Sequence, residues 1–244
     1  VTDEFNREYA NQLNFIAFLR SFMGSLQRFD LKKYIKAYNV SVLFETGAFK
    51  GNGIRHALEA GFEKVISTEI MDEFVELNQN QFRQYKNVTI LKGNSSELLD
   101  KHIFQIKENT FFWLDAHYPG ADGGLLDYNS DFDDSIKYPL ENELRIIKKH
   151  RPTKEDVILI DDLRLYEEGD YDFGNIPADA RKPENFTIDF VYDLFSDSHH
   201  IIKLYNDHGY LLLLPKTQKP NIYTKVGLRE ILRLRERLKK LFQK

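Results

Sequence analysis

The chain has no cysteine, which excludes disulfides, thiolate metal sites and cysteine nucleophiles and fits a reducing compartment. Proline and glycine are sparse, 7 and 13 among 244 residues, too few for a disordered or low-complexity chain. No apolar run approaches the roughly 20 residues needed to cross a bilayer. The opening VTDEFNREYANQ lacks the charged-then-apolar order of a secretory signal. A basic excess is missing as well: the net charge is −4, so the chain as a whole is not built to grip nucleic acid electrostatically. These absences leave a soluble, cytoplasmic globular protein as the expectation. What is present agrees with that, since 42% of residues are hydrophobic and 14% aromatic, enough for one domain with a full core.

Three regions follow from the pattern. Residues 1–38 carry Phe5, Tyr9, Leu13, Phe15, Ile16, Leu19, Phe22 and Met23 at helical spacing, which predicts one or two amphipathic helices packed on the core, on a second copy in a homodimer, or over a ligand. Residues 39–217 alternate short β-rich runs with helical segments. The strands are expected at 41–46, 64–69, 88–92, 110–115, 156–161, 200–206 and 209–215, and the helices at about 52–61, 72–85, 95–105, 139–150 and 186–196. Residues 218–244 form a basic C-terminal helix. From Lys225 this tail holds eight basic and two acidic residues, read as a solvated basic face, with docking to an anionic partner as the alternative.

Strands separated by helices require crossover connections, hence an α/β fold with a mostly parallel sheet covered on both faces. The last two strands are separated only by Asp207, His208 and Gly209 and should pair as an antiparallel hairpin. In such sheets ligands bind beyond the carboxyl ends of the strands, where strand order reverses.

The residues at those ends carry the chemistry. Val42 to Gly53, VLFETGAFKGNG, runs strand, glycine turn, helix start. Glycines allow close backbone approach, and the N–H groups opening the helix favour an oxygen-rich ligand; such a turn also occurs where the glycines only make a bend. Glu69 ends the second strand, where a carboxylate can accept from both ribose hydroxyls. Gly93, Asn94 and Ser95 follow the third strand, where a small polar side chain can meet an adenine edge, or Ser95 can simply cap a helix. The fourth strand ends WLDAHYPG and the fifth VILIDDLR, which puts Asp115, His117, Asp161 and Asp162 at one rim. Three carboxylates in one cleft repel, and a divalent cation relieves them; oxygen ligands select magnesium, manganese or calcium. Caps of the following turns are the plain alternative for Asp161 and Asp162. His117 lies two residues from Asp115 on the same side of an extending strand, and an imidazole there can take a hydroxyl proton near neutrality.

Five β-α steps closed by a hairpin resemble the Rossmann-like, seven-stranded sheet of the S-adenosylmethionine-dependent methyltransferases; a dinucleotide-binding domain ordinarily lacks that hairpin. More narrowly, Glu45-Thr46-Gly47-Ala48-Phe49-Lys50-Gly51 with Asp115 and the Asp161-Asp162 pair is similar to the metal-dependent sugar O-methyltransferases of macrolide and aminocoumarin biosynthesis, over roughly residues 41 to 165. That resemblance implies S-adenosylmethionine held by Glu45, Thr46, Gly47, Phe49, Gly51, Asn52, Gly53, Glu69, Ile70, Asn94, Ser95 and Asp115. It implies a divalent cation, Mg or Mn, on Asp115, Asp161 and Asp162. The acceptor would be a sugar hydroxyl, on a nucleotide-sugar, a surface glycan such as a capsule polysaccharide, or a natural product. Where that family has a second aspartate proposed as general base, this chain has His117, so His117 with Asp115 forms the expected catalytic pair. Nucleic acid is an unlikely partner on charge. The other functions in view are an RNA or small-aromatic methyltransferase on the same fold, and a non-catalytic adenosyl-binding partner protein.

The remaining features have ordinary structural readings. Gly120 to Lys137 carries five aspartates, and EEGDYD follows the fifth strand; both loops overhang the acceptor side, with most charges solvated. Glu141 and Glu143 follow Pro139 at a helix start, where carboxylates complement the dipole. His199 and His200 are structural and Trp113 is core.

Overall fold

The computed structural model describes residues 25–119, 132–176 and 187–225. The expected helices before residue 25, most of the acidic loop after residue 119 and the basic tail beyond residue 225 lie outside the described residues. A 3-10 turn at Leu26–Arg28 leads into α1 (Leu31–Tyr38). There follow β1 (Val42–Thr46), α2 (Asn52–Ala60), β2 (Lys64–Glu69), α3 (Asp72–Phe82), β3 (Val88–Lys92), α4 (Ser95–His102) and β4 (Thr110–Leu114). A short α5 (Asp134–Lys137) precedes α6 (Leu140–His150), β5 (Val157–Ile160), α7 (Asp189–Phe195) and the hairpin of β6 (His199–Leu204) and β7 (Tyr210–Pro215). Among the described residues no helix is long and apolar enough to cross a membrane.

All seven expected strands form, in the order β3-β2-β1-β4-β5-β7-β6. β1 to β5 are mutually parallel, and β7 runs antiparallel to both β5 and β6. The order reverses between β1 and β4, which opens a crevice at their carboxyl ends. Helix ends differ from expectation for local reasons. α3 stops at Phe82 because Tyr85 N–H donates back to Phe82 C=O in a tight turn. The 95–105 segment divides into α4 and a 3-10 turn at Ile103–Gln105, and α7 begins at Asp189.

The central strands are mostly apolar because both faces are covered, with Glu45 and Thr46 at the carboxyl end of β1 the buried polar exceptions there. Phe44, Phe112 and Leu114 join Leu144, Ile147 and Val191 on one face. Leu43, Phe111 and Trp113 join Tyr34, Ile54 and Ala57 on the other. Trp113 is core, as its place inside a strand indicates.

The amino-terminal edge of the sheet is locked by one buried ion pair. Arg151 donates from Nε and Nη2 to the two oxygens of Asp156 at 2.6 and 2.7 Å, and from Nη1 to Ile106 C=O at 2.7 Å. Asp156 also accepts from Thr110 N–H at 2.7 Å. His199 Nε2 meets Asp156 C=O at 3.1 Å, which gives that histidine its structural role.

Candidate active site

The β1–α2 turn is shaped by contacts that leave no room for side chains. Gly47 has φ +84°, and a Cβ there would come within 2.7 Å of Asp115 C=O. Gly51 has φ +77°, and a Cβ would meet Asn78 Oδ1 at 2.2 Å. Between them Phe49 has φ 43°, a left-handed conformation that costs a bulky residue about 1–3 kcal/mol. Both sides of its peptide are held: Phe49 N–H donates to Glu69 Oε2 at 2.8 Å, and its C=O accepts from Asn78 Nδ2 at 2.6 Å. The ring packs edge-on against Phe74 at 4.6 Å.

The expected cofactor residues gather around this turn, with different duties from those read in the sequence. Glu45 is only 1% exposed and lies beneath the start of α2, where a Cβ on Gly53 would fall 1.8 Å from its Oε1. Burial pushes its carboxyl up to about 8, against the pull of the Ser67 hydroxyl, so Glu45 keeps its proton at neutral pH. Glu69 accepts from the N–H groups of Phe49, Ile70 and Met71, each at 2.8 Å, which leaves about one acceptor position for a ribose hydroxyl. Asn94, not Ser95, caps α4, accepting from Ser96 and Glu97 N–H. Ser95 is buried at the start of that helix.

The acids and the histidine of the fourth and fifth strands do come together. Asp115 N–H donates to Thr46 C=O at 3.1 Å and to Thr46 Oγ1 at 3.2 Å, which fixes the turn after β4 to the end of β1. His117 Nε2 lies 2.8 Å from Asp162 Oδ2, and its Nδ1 lies 3.5 Å from Asp115 Oδ1. A second imidazole, His208 in the β6–β7 turn, places Nδ1 3.0 Å from Asp162 Oδ1. Asp162 itself has φ 52°, in the left-handed region. Burial would raise the Asp162 carboxyl, but His117, His208 and Arg164 overcome it and hold the group below the usual carboxylate range. Burial and the adjacent Asp162 push Asp161 well above that range. Imidazoles thus surround one acid of the pair, while the other is buried beside it.

Two groups of residues line a single cavity of about 550 Å³, within the range of small-molecule sites. Gly47, Phe49, Gly53, Glu69, Ile70 and Asn94 lie on one side and Asp115, His117, Asp161, Asp162 and His208 on the other. The glycine cradle, with ordered N–H groups and the aromatic pair Phe49–Phe74, fits an adenosyl ligand. The second wall is chemically a donor set for an oxygen-ligated divalent cation, and Asp161 Oδ1 is buried with no hydrogen-bond partner among the described residues. No three of its side chains are yet disposed around one point as a metal site among those residues, because Asp162 faces the two imidazoles.

Three residues of this region carried no functional signal in the sequence. Asn78 sits in mid-helix with nothing nearby to announce it. His208 looked like a turn residue. Glu143 has the ordinary placement of an acid in a first helical turn, yet it is 1% exposed and reaches under the floor of the cavity. The hairpin turn carrying His208 is anchored by its neighbour: Asp207 takes Arg28 Nε at 2.6 Å and the Tyr210 hydroxyl at 2.7 Å. Tyr210 in turn accepts from Ser25 N–H at 3.0 Å. In the second acidic loop, Glu167 pairs with Lys203.

No protein-family model matches the sequence, and no curated protein sequence matches it. Solved structures do. A Staphylococcus aureus protein provisionally named a caffeoyl-CoA O-methyltransferase superposes with a TM-score of 0.52 at 15% identity, covering 86% of this chain and 99% of its own. An O-methyltransferase from Bacillus cereus, solved in complex with SAH, gives 0.51 at 15% identity, covering 86% of this chain and 90% of its own. The chain therefore has the Rossmann-like, seven-stranded fold seen in these O-methyltransferases, hairpin included.

Proposed function

We propose that the protein is an S-adenosylmethionine-dependent O-methyltransferase acting on a hydroxyl of a sugar or other polyol, assisted by a divalent cation, Mg or Mn. The observation that carries this reading is His117, held between Asp115 and Asp162 in the same cavity as the glycine cradle. The fold shared with an O-methyltransferase solved with SAH supports the choice of cofactor. Carboxylates and imidazoles along the acceptor wall suit a polyol, which offers several hydroxyls to bond.

The residues divide the work. The turn of Gly47 to Gly53 brings open backbone against the cofactor, and Glu69, Ile70 and Asn94 receive its adenosyl end. S-adenosylmethionine supplies the methyl group on an electrophilic sulfonium. In the tautomer that donates Nε2–H to Asp162, 2.8 Å away, the His117 lone pair is on Nδ1, 3.5 Å from Asp115 Oδ1. The acceptor hydroxyl would give its proton to that Nδ1 as its oxygen attacks the methyl carbon in line, the carbon–sulfur bond breaking with its electron pair to leave the neutral thioether S-adenosylhomocysteine. Asp115, Asp161 and Asp162 are the residues that would hold a cation, which when bound lowers the pKa of a hydroxyl. The enclosing walls position the two reactants, the larger part of such catalysis.

A small-aromatic acceptor is the second reading, favoured by the name of the Staphylococcus aureus neighbour. The test is transfer of labelled methyl from S-adenosylmethionine to a panel of nucleotide-sugars, free polyols and a catechol, with and without chelator. Label on a sugar, lost with chelator and restored by Mg or Mn, is expected. Label only on the catechol contradicts the acceptor class, and full transfer in excess chelator contradicts the cation.

A further inference from the structure

Glu143 is a buried carboxylate for which the reaction above has no use. It projects from the first turn of α6, and its side chain lies where three strand ends meet. Oε2 accepts from the Thr46 hydroxyl at 3.4 Å at the end of β1. Ser95, which opens the helix after β3, is buried as well. The Thr46 hydroxyl that donates to Glu143 simultaneously accepts from Asp115 N–H at 3.2 Å. A hydroxyl has a single proton, so the bond to Glu143 fixes its rotor and leaves its lone pairs directed at the turn after β4. Oε1 is buried without a hydrogen-bond partner among the described residues. It borders a small void that His117, Asp161 and Tyr166 also line.

A carboxylate in this position is costly as mere packing. An apolar side chain of similar size would satisfy the volume, and an unpartnered buried oxygen is penalised. Burial pushes Glu143 up to about 7, with Ser95 and Thr46 pulling the other way.

We infer that Glu143 is a positioning residue: by holding the Thr46 hydroxyl it fixes the carboxyl ends of β1 and β4 relative to one another, and so sets the cofactor cradle against the turn that carries Asp115 and His117. This inference rests on the functional reading above. It accounts for a charged group placed under the floor instead of in the cavity, and for the contact of Asp115 with Thr46 through both hydroxyl and carbonyl.

The test is calorimetric titration of S-adenosylhomocysteine into the wild-type chain, Glu143→Leu, Thr46→Val and the double variant, each scaled to its folded fraction by thermal unfolding. Glu143→Leu, which keeps the volume and removes the acceptor, is expected to bind about tenfold more weakly. The double variant is expected to bind no more weakly than the poorer single one, since both break the same link. Wild-type affinity in Glu143→Leu, or fully additive losses, would overturn the inference. Should Glu143→Leu fail to fold, Thr46→Val and Thr46→Ser carry the test: the first removes the hydroxyl and the second keeps it, and wild-type affinity in Thr46→Val contradicts the assignment. A wild-type chain that takes up no S-adenosylhomocysteine sinks the functional reading and this inference with it, whereas a wild-type chain that binds with Glu143→Leu indistinguishable from it sinks this inference alone.

Discussion

The two ends of the sheet both bury charge, and they treat it in opposite ways. At the amino-terminal edge Arg151 and Asp156 satisfy each other, and nearby backbone groups take up Arg151's remaining donors and an Asp156 oxygen. At the carboxyl edge Glu45, Glu69, Glu143, Asp161 and Asp162 are all buried. The buried polar atoms without partners among the described residues, Thr68 Oγ1, Asn78 Oδ1, Glu143 Oε1 and Asp161 Oδ1 among them, also lie there. A folded chain ordinarily pairs its buried polar groups. The lesson is that one end is organised for stability and the other keeps unspent hydrogen-bonding capacity and strained backbone, at Phe49 and Asp162, for a ligand.

Substitutions at each end should therefore fail differently. The largest loss of stability is expected from Arg151→Ala, about 3–5 kcal/mol, because Asp156 is left buried and uncompensated; denaturant unfolding measures it. A stability within about 1 kcal/mol of wild type would show that this pair is no lock. His117→Ala is expected to cost less stability than Arg151→Ala, since His208 and Arg164 still face Asp162, while turnover drops at least about a hundredfold, the usual contribution of a general base. Normal turnover in that variant, followed across pH, would remove His117 from the mechanism.

A smaller effect concerns pH. Glu45 is held up to about 8 by burial, so above the ordinary glutamate range the unfolded chain has released a proton that the folded chain still keeps. Stability is then fully present at acid pH and falls as pH rises towards about 8. Glu143, held up to about 7, adds to the same slope. Thermal midpoints recorded from about pH 5 to about pH 8 should decline, and Glu45→Gln should flatten the decline. An equally steep slope in that variant would mean that Glu45 is already ionised in the native state.

The contrast between the ends also explains what could be read from the sequence. Strand positions, the closing hairpin and the glycine turn were legible because they rest on local signals: β-rich runs, turn residues and spacing. Asp115, His117, Asp161 and Asp162 were legible as a group because the topology carries strand ends to one rim. Side-chain partners were not. Glu69 looked free for ribose until Phe49, Ile70 and Met71 were seen to use its oxygens, and Asn94 displaced Ser95 as the cap of α4. Glu143 and His208 were missed because each sits where an ordinary helix start or turn would place such a residue. Only the meeting of α6 and of the hairpin with β1, β4 and β5 gives them partners.

The central claim is that the carboxyl end of this sheet is a cofactor site. Titration of S-adenosylhomocysteine into the wild-type chain, followed by calorimetry, tests it most directly. The account predicts saturable binding at one site per chain, weakened by Gly47→Ala, whose Cβ would collide with Asp115 C=O. Absence of binding, or binding unaffected by that substitution, would contradict it.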